Sequence, residues 1–292
     1  MSPDLHVTKS IGQAVSDALL RIPTRNAPLR GVRRSLMYAR AALVRLSDPL
    51  VTHKIGGTKI SLPLSHDLPH FQKVFPNYSL NLGRIAAVVL RLRPNLAAVD
   101  VGANVGDSVA ILRSGGHMPV LAIEGDRRFF SLLERNAKAL GPELYLRCVM
   151  VGSAPAERAG AMKSRGGSAH YVDGTVEPYP VAFEKLSSII ADAPELAGRK
   201  LLVKIDTDGL DPTIIKSEET FLAERRPVLF FEYDPFHFQR YGEDGFEVFA
   251  SLARAGYSNL LVYDNTGELS QHLRLDQVTK LRELHELYSG HG

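Results

Sequence analysis

The chain reads as an α/β fold: a mostly parallel sheet with helices on both faces, preceded by an N-terminal helical extension. Three observations predict it. From Asn81 onward, short apolar runs alternate with amphipathic stretches, the order that builds strand-helix-strand units. One run, Ala97 to Val101, ends directly in the bend Gly102-Ala-Asn104-Val-Gly106 and then a helix, the unit that parallel sheets place at their ligand-binding edge. The next run closes on an acid, Glu124, about 20 residues later.

The 292 residues, 45% hydrophobic and 23% charged, can bury an extensive core without disulfides or a structural metal. Two segments are expected: an extension with a small β-hairpin over 1–80, and the α/β domain over 81–292. Pro23, Asn26 and Pro28 interrupt helical periodicity, so the extension holds two helices, near 8–20 and 31–46. The run VTHKIGGTKISLPL (51–64) sets β-branched residues around a Gly-Gly turn, a hairpin assigned to a cap over the site. A helix over 85–92 leads into the first strand, 97–101.

A helix from Asp107, with Asp107 or Ser108 as cap, precedes the strand 120–123; a helix over 129–140, stopped by Gly141-Pro142, precedes a strand over 144–151. Further strands fall at 201–205, 228–231 and 259–263, with helices 213–223 and 246–255 between them. The Gly-, Ser- and Pro-rich stretch 154–179 breaks the alternation and is an insertion, either a hairpin or a loop.

A net charge of +3 is too small to demand a polyanionic partner, and nucleic acid is not expected. The arginines are uneven, with Arg21, Arg25, Arg30, Arg33, Arg34, Arg40 and Arg45 clustered early. Two readings of that helix stand: a basic amphipathic face meeting phosphates or a membrane surface, or a helix packed on the domain or on a second subunit. The single cysteine, Cys148, sits in an apolar run and is expected to be buried and inert. With no apolar run long enough to span a bilayer and no secretory pattern, the expected location is cytoplasmic.

The bend departs from the dinucleotide fingerprint. Asn104 stands where a second glycine would sit and Asp107 crowds the helix start, so a pyrophosphate is disfavoured. S-adenosylmethionine (AdoMet) carries an ammonium and a sulfonium instead of phosphates, and Asp100 at the strand end suits it better. Gly102 and Gly106 allow a sharp turn and a close approach by the ligand. A carboxylate at Glu124 can accept both ribose hydroxyls; the alternative is that Glu124 and Asp126 cap the following helix. The expected cofactor set is Asp100, Gly102, Asn104, Gly106 and Glu124.

The runs VDVGANVGD, AIEGDRRFFSLLERN, VKIDTDGLD and PVLFFEYDP, in this order over about 96–265, resemble the FkbM family of AdoMet-dependent methyltransferases. The resemblance implies a seven-stranded class I methyltransferase fold and O-methylation of a hydroxyl on a sugar or secondary metabolite. The family usually reads KIDVEGAE, where this chain has Thr207, Asp208, Leu210 and Asp211. After the third strand no acid stands ready for the adenine amine, which assigns that contact to Ser153 or a backbone group.

Methyl transfer to an alcohol needs the oxygen in line with the methyl and a group to take its proton. The candidates are Asp206 as base or orienting group, Asp208 and Glu232 as holders of substrate hydroxyls, and His237 as a base within the aromatic loop FFEYDPFHF. Magnesium held by the three aspartates and Glu232 is the alternative, and no metal ligand is assigned. Asp211 before Pro212 reads as a helix-start signature. Three other readings compete: an NAD-dependent oxidoreductase, disfavoured by GANVGD; an RNA methyltransferase using the arginine-rich start; and a non-catalytic scaffold that retains the fold.

Overall fold

The computed structural model describes residues 3–23, 28–152, 160–165, 168–173 and 182–290. Helices α1 (Pro3–Arg21) and α2 (Arg30–Leu46) open the chain and lead into an antiparallel hairpin, β1 (Leu50–Ile55) and β2 (Thr58–Pro63), turning at Gly56-Gly57. The amide of Gln13 pairs with the Thr52 backbone, accepting its N–H at 2.7 Å and donating to its carbonyl at 3.1 Å. That contact satisfies an exposed strand edge. α2 buries none of its residues and leaves Val32, Met37, Tyr38 and Leu46 exposed. Of its arginines, Arg40 is tied inward, to the Leu64 and Ser65 carbonyls and to Asp67 at 2.9 Å.

The α/β order then begins: α3 (Leu68–Val74), α4 (Leu80–Leu92), β3 (Leu96–Val101), α5 (Asp107–Ser114), β4 (Val120–Ile123), α6 (Arg127–Leu140), β5 (Leu144–Arg147), and a short β6 (Met150–Val151). The insertion contains a hairpin, β7 (Gly160–Arg165) with β8 (Ser168–Asp173). β9 (Phe183–Glu184), α7 (Leu186–Ala191), β10 (Lys200–Ile205), α8 (Asp211–Ser217), α9 (Glu219–Arg225) and β11 (Val228–Phe231) follow. The chain closes with α10 (Pro235–Phe238), α11 (Glu247–Arg254), β12 (Asn259–Tyr263), β13 (Leu269–Arg274) and α12 (Val278–Ser289).

The central sheet is parallel, in the order β11-β10-β3-β4-β5. Period-two alternation sorts its side chains onto two faces. Ala97, Val99 and Val101 of β3, with Leu121, Ile123, Leu201, Val203 and Ile205, meet α7, α8, α9 and α11. Leu96 and Ala98, with Val120, Ala122 and Leu202, meet α4, α5, α6 and the hairpin. Both faces are covered, as strands with uninterrupted apolar runs require.

Several expectations change. The central sheet has five strands among the described residues, where seven were expected; the segment 259–263 pairs antiparallel with β13 in its own ladder. The strand expected over 144–151 breaks, because β5 ends at Arg147 and Met150-Val151 pairs with β9 instead. Cys148 falls in that break and is exposed, not buried. The helix expected over 213–223 is two helices, interrupted at Glu218, whose ψ of 18° departs from helical geometry. Among the described residues no helix is long and apolar enough to cross a membrane.

Candidate functional site

The site forms where β3, β4 and β10 end. At the tip of β3 the chain turns through Gly102 (φ 77°), Asn104 (φ 50°) and Gly106 (φ 90°), and the N–H groups of Gly102 and Ala103 both bond the Ile123 carbonyl at 3.0 Å. The two glycines serve packing. A Cβ on Gly102 would lie 1.9 Å from the Asp206 carbonyl oxygen, and one on Gly106 within 3 Å of Leu133 and Leu140. A side chain at either position would thus collide with the protein's own backbone or with α6.

Asp100 is fully buried and takes a supporting place. Register sets Lys204 of β10 directly across from it. The Lys204 Nζ lies 3.1 Å from Asp100 Oδ1, 3.3 Å from Asp206 Oδ2, and donates to the Gly102 carbonyl at 2.9 Å. Ser108 Oγ donates to the other Asp100 oxygen at 2.5 Å. Burial acts to lower the Lys204 pKa, but Asp100, Asp206 and Asp107 outweigh it and hold the ammonium well above the usual lysine range. Neither Asp107 nor Ser108 caps α5: its N-cap is Gly106, with no side-chain bond. Burial raises the Asp107 carboxyl.

Glu124, at the tip of β4, is buried; its Oε2 accepts the Asn104 N–H at 2.8 Å and its Oε1 the Asp126 N–H at 2.7 Å. Each oxygen keeps a lone pair for a further donor. Burial pushes its carboxyl up to about 7. Asp126, not Glu124, caps α6, accepting from the N–H groups of Arg128 and Phe129 at 2.7 and 3.2 Å.

Between these tips lies a shallow cleft open to solvent. Gly102, Asn104 and Glu124 line it on one side, Val149, Met150 and Val151 supply an apolar wall, and Asp206, Thr207 and Asp208 close the other side. Asp100 and Gly106 are not part of the lining. Ser153 lies outside the described residues, and no hairpin residue of 50–63 lines the cleft.

The loop after β10 is organised by Asp211. Its buried Oδ2 accepts from Thr207 Oγ1 at 2.9 Å and from the Thr207 and Gly209 N–H groups at 3.4 Å. Burial pushes its carboxyl up to about 7. Asp211 thus starts α8 while anchoring the preceding turn, and the N-cap position belongs to Leu210. The turn carries Asp208 at φ 53° and Gly209 at φ 122°, and a Cβ on Gly209 would strike the His237 carbonyl at 2.7 Å. That close approach brings Asp208 to α10. Asp208, Glu232 and His237 each present an atom within 4.8 Å of the others, so three of the four predicted acceptor-side residues converge. The fourth, Asp206, stands beside Lys204. Burial, then Asp206, Asp211 and Asp208, push the Glu232 carboxyl well above its usual range.

Sequence reasoning missed two residues here. Lys204 was invisible because its importance depends on a cross-strand neighbour about a hundred positions away. Tyr78, in the turn before α4, stacks on Phe71 at 5.6 Å. Burial, followed by the carboxylates of Asp206, Glu232, Asp107 and Asp208, pushes its hydroxyl up to about 12. Tyr78 therefore lies within electrostatic reach of the acidic side of the site.

A parallel sheet covered by helices on both faces, whose adjacent strand tips carry a tight bend, an acid and an open cleft between them, defines a Rossmann-like α/β fold. The family profile described as Methyltransferase FkbM domain matches residues 100–258, more than half of the chain, and begins at the buried aspartate of the bend. The chain belongs to the FkbM methyltransferase family. Comparison with curated proteins and with solved structures gave no match.

Proposed function

We propose that this methyltransferase uses AdoMet to methylate a hydroxyl of a carbohydrate or secondary metabolite. The observation that carries the reading is Glu124: a buried carboxylate on the cleft wall, oriented by two backbone N–H groups, with acceptor capacity left over for two ribose hydroxyls. The carboxylates of Asp206 and Asp208 across the cleft suit a ligand that carries positive charge, and Val149, Met150 and Val151 suit a flat apolar base. When bound, AdoMet supplies an electrophilic methyl group on a sulfonium.

The chain's residues do the rest. Lys204, through the Gly102 carbonyl and Asp100, fixes the bend beside the cofactor cleft. Asp206, half-exposed and steadied by Lys204, takes the proton from the acceptor hydroxyl as oxygen attacks. Asp208, Glu232 and His237 hold the acceptor.

Isothermal titration with AdoMet and S-adenosylhomocysteine tests the cofactor half. Wild type binds both, and Glu124→Ala, which loses two hydrogen bonds to a charged acceptor worth about 1.5–3 kcal/mol each, weakens binding by at least about a hundredfold. Equal affinity in wild type and variant would discard the site. Binding without transfer to any hydroxyl in a broad acceptor panel would favour the scaffold reading.

A further inference from the structure

We propose that Asp208, Glu232 and His237 form a binding site for a divalent transition-metal ion at the acceptor end of the cleft. Each side chain offers one ligand atom, and the three atoms lie within 4.8 Å of one another. An ion with bonds of about 2.0–2.2 Å closes that span with small side-chain rotations.

The cluster is more than a group of acids. It contains an imidazole on a separate element, α10, behind which Asp234 stands 3.6 Å from Nδ1. At that distance the two make no hydrogen bond, and the buried Nδ1 has no hydrogen-bond partner among the described residues. Asp234 is itself fixed, accepting the N–H groups of Phe236 and His237 as the cap of α10. The second independent observation is Glu232, partly buried, with the like charges of Asp206, Asp211, Asp208 and Asp234 acting on it and no side-chain hydrogen bond from the described residues. The buried cation at the end of the neighbouring strand, Lys204, is already engaged by Asp100 and Asp206. A bound cation would supply the missing counter-charge.

Ligand chemistry selects the ion. Magnesium and calcium prefer all-oxygen shells, whereas one imidazole with two carboxylates suits manganese, iron or zinc. Three protein ligands leave coordination positions open, and the cluster adjoins the cleft through Asp208. In that case the ion would hold the acceptor oxygen and lower its pKa; His237 would act as a ligand, leaving Asp206 as the base. This last consequence rests on the methyltransferase reading above, but the binding of the ion does not.

The probe is Mn²⁺ alone, titrated into the full chain without AdoMet and followed by loss of the free-ion electron paramagnetic resonance signal. One ion per chain is expected, with Mg²⁺ binding at least about tenfold more weakly. Because even an outer-shell change costs about 10–100-fold in metal affinity, Glu232→Gln and His237→Ala should each cost at least that much. Melting curves identify any variant that fails to fold, and the wild-type titration stands without them. No Mn²⁺ binding, Mg²⁺ binding as tightly as Mn²⁺, or Mn²⁺ binding unchanged in both variants would each overturn the site. A failure here leaves AdoMet titration intact, and a failure of AdoMet titration leaves the Mn²⁺ result intact, so the two proposals fall separately.

Discussion

Lys204 and Asp100 provide the sharpest test of how the bend is held. Both side chains are almost wholly inaccessible, at 4% and 0%, and face each other across two parallel strands at 3.1 Å. Replacing Lys204 by methionine keeps most of the apolar stem and removes the charge, leaving Asp100 with only the Ser108 hydroxyl. Breaking a buried pair from one side costs about 3–5 kcal/mol, because the remaining ion has no water to replace its partner. At about 2–4 °C per kcal/mol for a chain of roughly this size, the melting temperature should fall by about 6–20 °C.

The companion variant decides the cause. Adding Asp100→Asn removes the stranded charge while leaving an oxygen for Ser108, so the double variant should be more stable than Lys204→Met alone, by at least about 1 kcal/mol. Urea denaturation of the parent, both single variants and the double completes the cycle. A loss below about 1 kcal/mol for Lys204→Met, or simple addition of the two single effects, would refute the reasoning.

Three further outcomes follow. Gly102→Ala meets both a left-handed backbone, about 1–2 kcal/mol, and overlap with the Asp206 carbonyl, about 1–3 kcal/mol more. Gly57→Ala, also at positive φ but with open space around it, should lose only the backbone part, and equal losses in denaturation curves would contradict the packing argument. AdoMet affinity should rise as pH increases from 6 to 8, since Glu124, raised to about 7 by burial, becomes a full double acceptor only when ionised. Titration at several pH values checks it, with Glu124→Gln expected to flatten the profile. For stability the sign is opposite: with the folded pKa above the unfolded one, Glu124 makes the fold less stable as pH climbs from about 4.5 toward 7.

What could be read from the residues was whatever is written locally. The strand ending at Val101, its glycine bend, the helix at Asp107 and the acid closing β4 are short-range patterns, and each lies where the pattern placed it. Asp208, Glu232 and His237 were legible as a group because the first two follow the ends of neighbouring strands and His237 lies in the short aromatic segment just after the second. The part played by Asp100 was not legible. An acid at a strand end looks available to a ligand until the register of β10 reveals a lysine opposite it. Cys148 failed for a related reason: its apolar neighbours suggest one strand, but β5 and β6 pair with different partners and the chain must step out between them.

Asn136 joins three parts of the molecule. Its side chain accepts the Ser61 N–H, and its amide donates to the Ser61 and Val105 carbonyls. A single residue of α6 thus couples the hairpin of the extension to the glycine bend, while Ile60 and Leu62 share an apolar cluster with Val105, Val109 and Leu133. A chain trimmed to begin at the first parallel strand would lay that cluster bare and leave the Asn136 amide without its Ser61 partners. Anyone seeking a minimal catalytic fragment should cut outside the hairpin.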